Sequence, residues 1–551
     1  MRLSISLQAV LSVALMSSSL IAADPTPVNQ VFQFMEAGTC TAWSDGQPSK
    51  ATSYLWIPEK CQKVRGLLIL CNNVPEHRLV GHEAIRAVCA ANDLAIVWNT
   101  PSFMNFKKTE PGKKKMSEEW DTAAGFLQQQ LDALAKTSGY AEIATVPWLP
   151  MGESGHLLMV DALVESRPER CIAGIWIKNS HLPPKNRQVP ALVVYGSAQE
   201  WGQDKSDIRG KWNDIGKTYD GILNQRKNNP QWPLSYVIDG HSGHFDVGEP
   251  LARYFAHYID VVVKARLPAD GGTTLTPLKI ERGFVAALPV PGHEGKSVEP
   301  ATPKAALPWF PDQQSAKEAQ GFAAINWKAE TQLPIFLDAQ GKPLPHDFNG
   351  ICNLKSFDFE DDGLTFTVKG ALASTIPSDF QNAGEPLVQG PEAPVAEWQS
   401  GPLEPLGNNR FRVALDRTWL SGAATYIGLR QSGTETIRGI FQPAGVDLRG
   451  LRQLPGKAQK ITFSAPADIA VGSAPVALKA TSDSGLPVSF FVVAGPAIIR
   501  DGKLELTAIP PRAKMPIEIT VGAWQWGRRT EPAVKIAEVV QQKLRVTAAG
   551  H

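Results

Sequence analysis

One five-residue segment, GESGH at positions 152–156, constrains the fold of this chain more than any other stretch. It follows an apolar run at 144–150 and precedes another at 157–164, so the predicted order is strand, tight turn and helix. Gly152 lets the backbone turn sharply and lets the strand and the helix approach closely. In a G-x-S-x-G turn of this kind, the serine hydroxyl is exposed above the sheet. Only the last position, His156, departs from that pattern.

From residue 31 to residue 268, short apolar runs alternate with segments of helical periodicity. The predicted strands are 51–58, 64–72, 94–98, 172–177, 191–195 and 234–238. The predicted helices are 80–91, 117–136, 212–227 and 250–265. This alternation predicts a mostly parallel sheet with helices on both faces. We therefore expect an α/β domain at 28–268, with its functional side chains at the carboxyl ends of the strands.

The chain changes character after residue 268. Residues 269–325 are rich in proline and show no period, which predicts a linker or an extension. Residues 326–450 and 455–547 contain short apolar runs separated by turn residues, a pattern typical of β-sandwiches. We expect an α/β domain followed by two all-β, sandwich-like domains, and the sequence assigns no role to the domain at 326–450.

The first 23 residues combine a basic start, an apolar stretch at 3–21 and small residues near its end. This pattern predicts a signal peptide, and hence a secreted or periplasmic protein with no membrane span after cleavage. A membrane anchor is the weaker alternative, because serines at 17–19 interrupt the apolar stretch. Export would permit disulfides; a Cys40–Cys61 bridge is one option, although sequence does not give the connectivity.

Charge and ligand spacing exclude several classes of partner. The net charge of +1 offers no electrostatic footprint for nucleic acid. The histidines and cysteines do not have the spacing of a metal site, so we expect neither a metal ion nor another cofactor. The oligomeric state is not readable from the sequence.

A serine hydroxyl needs a neighbouring base before it can act as a nucleophile, because it is weakly nucleophilic at neutral pH. If Ser154 has this role, a histidine should follow a later strand. The loop after strand 234–238 contains both His241 and His244. We expect His244 to be the base, because a glycine precedes it and an aromatic residue follows it; His241 is the alternative.

An acidic residue should hold that histidine in the correct tautomer and stabilise its cation. Strand 191–195 leads into Gln199 and Glu200, and only the glutamate carries the charge that this task needs. We therefore predict Glu200 as the acid, with Asp204 and Asp207 as alternatives.

Acyl transfer also needs hydrogen-bond donors directed at the oxyanion. The backbone N–H of Gly155, directly after the serine, is the first candidate. The second is Asn73, in the turn after strand 64–72, although turn formation explains that asparagine equally well.

Three further residues are candidates for substrate contacts: His156, Trp201 and His241. For His156 the alternative is a histidine at a helix N-terminus, packed beneath a loop. Trp201 could form a sugar-stacking floor together with Trp148 and Trp176, and burial in the core is an equal alternative for these tryptophans.

The segments at 147–155, 168–170, 191–196 and 243–245, together, resemble secreted bacterial α/β-hydrolases of the serine-esterase kind. The resemblance covers about 31–268 and implies an α/β-hydrolase fold. It places the nucleophile, acid and base at Ser154, Glu200 and His244. Separately, the segments at 460–463 and 480–490 are similar to a bacterial Ig-like repeat over about 455–546, which implies a spacer or adhesion role.

These patterns favour an exported carboxylic ester hydrolase that works through an acyl-enzyme on Ser154. An ester linked to a polysaccharide is the favoured substrate. The alternative is a non-catalytic carbohydrate-binding or surface-attachment protein on a degenerate hydrolase scaffold, which the imperfect turn and the large β portion motivate. A peptidase or a lyase on the same fold is a third option.

Overall fold

An eight-stranded sheet forms the centre of the N-terminal part of the chain. The computed structural model describes residues 31–41, 49–103, 116–178, 182–183, 185–196, 212–240, 242–347, 350–380, 382–453 and 455–549. The strands of the sheet are β1 (Phe34–Cys40), β2 (Ser49–Trp56), β3 (Gly66–Cys71), β4 (Leu94–Asn99), β5 (Trp148–Glu153), β6 (Gly174–Ile177), β7 (Ala191–Gly196) and β8 (Leu234–Asp239).

The order in the sheet is β1-β2-β4-β3-β5-β6-β7-β8. Strand β2 pairs antiparallel with β1 and β4, and all the other pairs are parallel. Every residue of strands β3 to β8 is buried, which requires that both faces of the sheet are covered. The prediction of a mostly parallel, doubly covered sheet is therefore confirmed.

Six helices accompany this sheet in the described part of the chain. They are α1 (Val74–Gly81), α2 (Glu83–Ala91), α3 (Met116–Ser138), α4 (Leu157–Ser166), α5 (Trp212–Asn228) and α6 (Glu249–Arg266). Helix α3 packs against α4 and β1, whereas α2 packs against α6. Helices α1 and α4 begin directly after β3 and β5, so their N-termini lie at the carboxyl edge of the sheet.

Residues 269–325 pack onto the α/β domain. They contribute strands β9 (Phe284–Val285), β10 (Glu299–Pro300) and β11 (Trp309–Phe310), followed by helix α7 (Gln313–Ala323). Helix α7 packs against β8 and α6 through its buried small residues. The proline-rich stretch is thus an extension that supports the sheet beside its last strand.

Residues 326–450 form several small sheets. The strands are β12 (Pro334–Leu337), β13 (Cys352–Leu354), β14 (Thr365–Thr367), β15 (Lys369–Leu372), β16 (Val395–Ser400), β17 (Leu403–Gly407), β18 (Arg410–Val413), β19 (Tyr426–Gln431) and β20 (Ile440–Val446). They pair as β13-β20-β19-β16, β14-β18-β17 and β12-β15. A short helix, α8 (Arg417–Ser421), precedes β19.

The C-terminal part is also rich in strands, as predicted. The strands are β21 (Ile461–Phe463), β22 (Ile469–Ala470), β23 (Val476–Ala477), β24 (Ala480–Ser482), β25 (Ser489–Ala494), β26 (Ala497–Arg500), β27 (Lys503–Leu506), β28 (Ile517–Trp524) and β29 (Val540–Thr547). They pair as β22-β29-β28-β25, β23-β27-β26 and β21-β24. The Ig-like assignment of this part stays a prediction.

A buried histidine joins the α/β domain to the 326–450 domain. His77 of α1 stacks on Trp98 of β4, with ring centroids 5.2 Å apart, and contacts the edge of Trp398 at 5.1 Å. Its Nδ1 accepts a hydrogen bond of 3.0 Å from the backbone N–H of Gly401. Burial, with a smaller effect from Arg417, lowers the pKa of His77 to about 3, so the ring is neutral at pH 7.

The C-terminal domain also contacts the α/β domain. Arg512 forms an ion pair of 2.9 Å with Glu142, and its backbone N–H donates to the Tyr140 hydroxyl at 3.1 Å. The backbone N–H of Gly495 donates to the carbonyl of Phe32 at 2.9 Å. Both β domains therefore pack directly on the α/β domain.

The cysteines and the described helices test two features that the sequence raised, a disulfide and a membrane span. All six cysteines lie within the described residues and are buried, and no disulfide joins them, Cys40 and Cys61 included. Among the helices that the structure describes, none has the length and apolar character needed to cross a membrane.

Candidate active site

Ser154 sits in a strained turn between β5 and α4. Its φ is +51°, in the left-handed region that residues with a side chain rarely adopt. A single 3₁₀ turn, Ser154–His156, links the strand to the helix, and we call residues 152–156 the elbow. Gly152 has no room for a side chain, because a Cβ there would lie 2.5 Å from the carbonyl oxygen of His156. Glycine therefore stands at position 152, where the backbone of β5 comes closest to that of His156. The backbone strain of the turn lies at Ser154, which has the positive φ.

His156 occupies the position where the G-x-S-x-G pattern has its second glycine, and the local geometry explains why it fits. Its φ of −84° is ordinary helical backbone. Its Nδ1 lies 3.7 Å from Oε1 of the buried Glu76 on α1, and the side chain is 12% exposed. The close backbone approach at this turn involves Gly152 instead. A histidine is therefore compatible with the turn.

His244 reaches Ser154 from the loop after β8. Its Nε2 lies 2.7 Å from Oγ of Ser154, which is hydrogen-bond distance. The imidazole is almost fully buried, and the ring of Phe245 packs edge-on against it with centroids 4.7 Å apart. The structure thus brings together the serine and histidine that the sequence singled out.

A buried ion pair fixes the beginning of the His244 loop. Lys178, directly after β6, is fully buried, and its Nζ lies 3.1 Å from Oδ2 of Asp239 at the end of β8. Ser242 bonds to both partners. Burial alone would raise the pKa of Asp239, but the Lys178 ammonium and the Ser242 hydroxyl together lower it. The backbone N–H of Gly240 donates to the carbonyl of Phe322 in α7 at 3.2 Å.

Glu153 is a site residue that the sequence reasoning missed. It is fully buried, and its Oε1 lies 3.2 Å from the same Nε2 of His244 that contacts Ser154. Its Oε2 accepts a hydrogen bond from Nδ2 of Asn73, and its backbone N–H donates to Glu76 Oε1 at 2.7 Å. A charged residue at the end of an otherwise apolar strand, directly before the serine, is the signal that could have revealed it.

Asn73 lies beside the elbow, where its side chain contacts Glu153. It precedes α1 as the N-cap residue, and its amide holds Glu153. Gly155 lies in the first turn after Ser154. Backbone N–H groups at the start of a helical turn lack intrahelical acceptors, so both positions are suited to oxyanion donors. The oxyanion assignment of Gly155 and Asn73 stays a prediction.

Several predicted site residues lie outside the described residues. They are Glu200, Trp201 and His241, together with the alternative acids Asp204 and Asp207. The identity of the acid therefore stays a prediction. Trp148 and Trp176 are buried in the core, so they cannot form a sugar-stacking floor. Trp176 donates to Asp161 at 3.0 Å, and the Arg170 guanidinium lies 4.0 Å from the Trp148 ring centroid.

The 326–450 domain contacts the His244 loop with two side chains of β19. Tyr426 stacks on Phe245, with centroids 5.5 Å apart and an interplanar angle of 19°. Arg430 lies 2.8 Å from Oδ1 of Asp246, which is fully buried, and also pairs with Glu397 at 2.6 Å. Although burial opposes it, pairing with Asp246 and Glu397 raises the pKa of Arg430 well above its usual value. This domain therefore supports the loop that carries His244.

A cavity of about 160 Å³ opens beside the elbow. Its lining combines the ends of β3 and β4, the elbow and the turn that follows α8. The described lining residues are Asn72, Asn73, Val74, Pro101, Ser102, His156, Ser421, Gly422, Ala423 and Ala424. Two residues that the sequence predicted for the site, Asn73 and His156, thus meet at one cavity. Within the described residues, no cluster of histidine, cysteine, aspartate or glutamate could hold a metal ion.

The strand order of the sheet, the serine at the β5–α4 elbow and the histidine after β8 define an α/β-hydrolase fold. No family model matches this chain, and no curated protein matches it at a significant level.

Solved structures similar to part of the chain include poly(aspartic acid) hydrolase-1 from Sphingomonas sp. KT-1, with 15% identity, 39% of this chain and 94% of the other covered, and a TM-score of 0.27. The poly(3-hydroxybutyrate) depolymerase LpqC from Bordetella parapertussis has 13% identity, covers 44% of this chain and 95% of its own, and has a TM-score of 0.29. A ferulic acid esterase has 15% identity, covers 42% and 98%, and has a TM-score of 0.26. The fold assignment rests on strand order and elbow geometry, not on these similarities.

Proposed function

We propose that this protein is a serine hydrolase that cleaves carboxylic esters, with Ser154 as the nucleophile and His244 as the base. One observation carries the proposal: Nε2 of a buried histidine lies 2.7 Å from the hydroxyl of a serine whose φ is +51°. Strain of this kind costs about 1–3 kcal/mol and persists where the surrounding structure imposes it, commonly at functional sites.

In this mechanism, Oγ of Ser154 attacks the ester carbonyl while Nε2 of His244 takes its proton. The tetrahedral intermediate collapses to an acyl-enzyme, and the imidazolium of His244 protonates the departing alcohol. Water then attacks the acyl-enzyme with His244 again as base, which releases the acid and restores Ser154. Gly155 and Asn73 would donate their backbone N–H groups to the oxyanion.

Two carboxylates are proposed to stabilise the His244 cation. Glu200 is assigned to the Nδ1 side, where an acid fixes the tautomer that leaves Nε2 free to accept the serine proton. Glu153 lies on the Nε2 side at 3.2 Å. In its ionised form, the buried Glu153 acts at low dielectric, so it favours the imidazolium more strongly than an exposed carboxylate would.

We extend the proposal to an exported enzyme that acts on an ester linked to a polysaccharide. The support is the N-terminal signal pattern and the similarity of about 455–546 to a bacterial Ig-like repeat, which implies a spacer or adhesion role. Retention of the full chain on acylated and deacylated polysaccharide, with release of acid measured in parallel, tests this extension.

Labelling with a fluorophosphonate probe tests the central proposal, because such probes react with activated serines. We expect the full chain to be labelled at Ser154, labelling to be lost in Ser154→Ala and strongly slowed in His244→Gln. Ser473→Ala, an exposed serine of the C-terminal domain, is the matched control and should label normally.

Absence of labelling in correctly folded protein would overturn the hydrolase proposal. If such a protein still bound polysaccharide, with binding unchanged in Ser154→Ala, the non-catalytic carbohydrate-binding alternative would replace it.

A further inference from the structure

We propose that the cavity beside the elbow is the acyl pocket of this site, and that the turn at 421–424 of the second domain restricts it to short, uncharged acyl groups. The inference rests on the proposed serine hydrolase function and adds the substrate class. It also gives the 326–450 domain a role in specificity.

The position of the cavity relates it to the nucleophile. His156, which lines the cavity, belongs to the same 3₁₀ turn as Ser154. Asn73, on the opposite strand end, also lines it and holds the carboxylate of Glu153. The cavity thus adjoins the residues that flank Ser154, and we assign it to the alkyl group of a carbonyl that Ser154 attacks while the carbonyl oxygen is directed at Gly155 and Asn73.

The size of the cavity limits what it can hold. Its volume is about 160 Å³. A protein cavity of about 150 Å³ accommodates benzene, so this one has room for about six non-hydrogen atoms. Acetyl and butyryl groups fit within that space. An octanoyl chain or an aromatic cinnamoyl-type group, with roughly nine or more such atoms, exceeds it on the same scale.

The lining also selects by charge. None of the described lining residues is lysine, arginine, aspartate or glutamate, and the walls present methyl groups, a proline ring, amides and hydroxyls. The imidazole of His156 also lines the cavity, but its Nδ1 already faces the carboxylate of Glu76 at 3.7 Å. A charged acyl group, such as a succinyl half-ester, would lose hydration there without gaining an ionic partner from those residues. The cavity therefore suits a neutral acyl group.

The turn at 421–424, which forms one wall of the cavity, is fixed in place. Gly422 ends α8 with a φ of +79°, which glycine adopts without strain. Ser421 Oγ accepts a hydrogen bond from Thr100 Oγ1 at 2.8 Å and donates to the carbonyl of Thr418 at 3.0 Å. Ser400 Oγ donates to the carbonyl of Ala424 at 3.2 Å. This wall is therefore anchored to both domains.

A chain-length series tests the inference. The full chain and its variants are assayed with p-nitrophenyl acetate, butyrate and octanoate, and kcat/KM is compared within each protein. We expect the wild type to prefer acetate and butyrate over octanoate by at least about 10-fold, because a single methylene without room costs a factor of about 10 to 200.

Two variants change the pocket in opposite directions. Ala424→Leu adds bulk at an exposed residue of the wall, so the fold should tolerate it, and it should lower butyrate relative to acetate about 10-fold. Val74→Ala removes bulk from the buried wall and should raise butyrate relative to acetate. Ala383→Leu, an exposed alanine of the same domain outside the cavity, should leave the profile unchanged.

Fluorophosphonate labelling of Ser154 in each variant separates the two levels of failure. The pocket assignment would be overturned if the wild type and the three variants were all labelled and had the same chain-length profile. The hydrolase proposal would still stand in that case. A wild type that prefers octanoate, or that cleaves succinyl esters as fast as acetyl esters, would also overturn it. Loss of labelling in the wild type would overturn both.

Discussion

Oε1 of Glu153 lies 3.2 Å from Nε2 of His244, the nitrogen that also contacts the Ser154 hydroxyl. The carboxylate is fully buried and is held by Asn73, so it cannot easily turn away from the imidazole. An imidazolium formed when Ser154 loses its proton would gain a charged partner at once.

Glu153→Gln should lower kcat about 10-fold to 100-fold, with a small effect on KM, because the lost charge acts mainly on the transition state. The glutamine oxygen can still accept the Asn73 amide, which should preserve the fold. Steady-state kinetics with p-nitrophenyl acetate measures the effect. Glu392→Gln, the same change at an exposed position, is the control. An unchanged kcat would show that Glu153 does not stabilise the imidazolium.

Arg430→Met should destabilise the chain and slow catalysis, because it leaves Asp246 buried without its guanidinium partner, two residues from His244. Breaking a buried ion pair by removing one partner costs about 3–5 kcal/mol. Urea unfolding of the full chain gives the free energy, and kcat should fall more than KM rises.

The matched control for Arg430 is Arg410→Met, which breaks an exposed pair with Glu360 at 2.8 Å. Its cost should be much smaller, because water and salt screen an exposed ion pair. Arg430→Met/Asp246→Asn should recover part of the stability, since the uncompensated charge is removed. If Arg430→Met and Arg410→Met lost the same free energy of unfolding, the assignment of Arg430 to the His244 loop would be contradicted.

Acidification should weaken the junction between the α/β domain and the 326–450 domain through His77. Because burial lowers its folded pKa to about 3, below the unfolded value of about 6.5, the unfolded chain binds an extra proton between these pH values. Stability from this residue is therefore complete above pH 6.5 and falls by up to about 1.4 kcal/mol per pH unit below it.

Unfolding free energies at pH 7, 6 and 5 test this prediction. The wild type should lose more stability between pH 7 and pH 5 than His77→Gln, which has no group that titrates there. His257→Gln, at a partly exposed histidine paired with Asp312, is the control. A wild type and a His77→Gln variant with parallel pH dependence would contradict the assignment.

Ser154→Gly should be more stable than Ser154→Ala by about 1 kcal/mol, because only glycine adopts a φ of +51° without strain. Both variants lack the hydroxyl, so the comparison isolates the backbone. Thermal unfolding of the two proteins measures the difference. A less stable glycine variant would mean that the elbow is not strained at Ser154.

The sequence alone determined the α/β core, because each strand from β3 to β8 is an apolar run that needs cover on both faces. It also determined the elbow, since Gly152 and Ser154 are residue types that a tight strand–turn–helix connection requires. His244 was predictable for a related reason: the loop after a late strand returns to the same edge of the sheet. These features depend on local pattern and on general rules of sheet topology.

Other parts depended on the tertiary structure. Helix α7 was not predicted, because its buried positions are mostly small residues within a proline-rich stretch. Glu153 was not predicted as a site residue, because a single acidic residue at the end of an apolar strand is a weak local signal. Arg430 acts on a loop 184 residues earlier in the chain, and no periodicity relates the two.

The cavity beside the elbow also depends on the tertiary structure and not on local sequence pattern. Its walls come from segments near 73, 101, 156 and 423, which are separated by loops and whole domains in the sequence. Hydrophobic pattern determines which residues are buried, but not which distant surfaces meet. The sequence therefore singled out Ser154 and His244, which the structure brings together. Only the packing of the second domain against the carboxyl edge of the sheet decided what surrounds them, because such contacts follow from shape and charge in three dimensions.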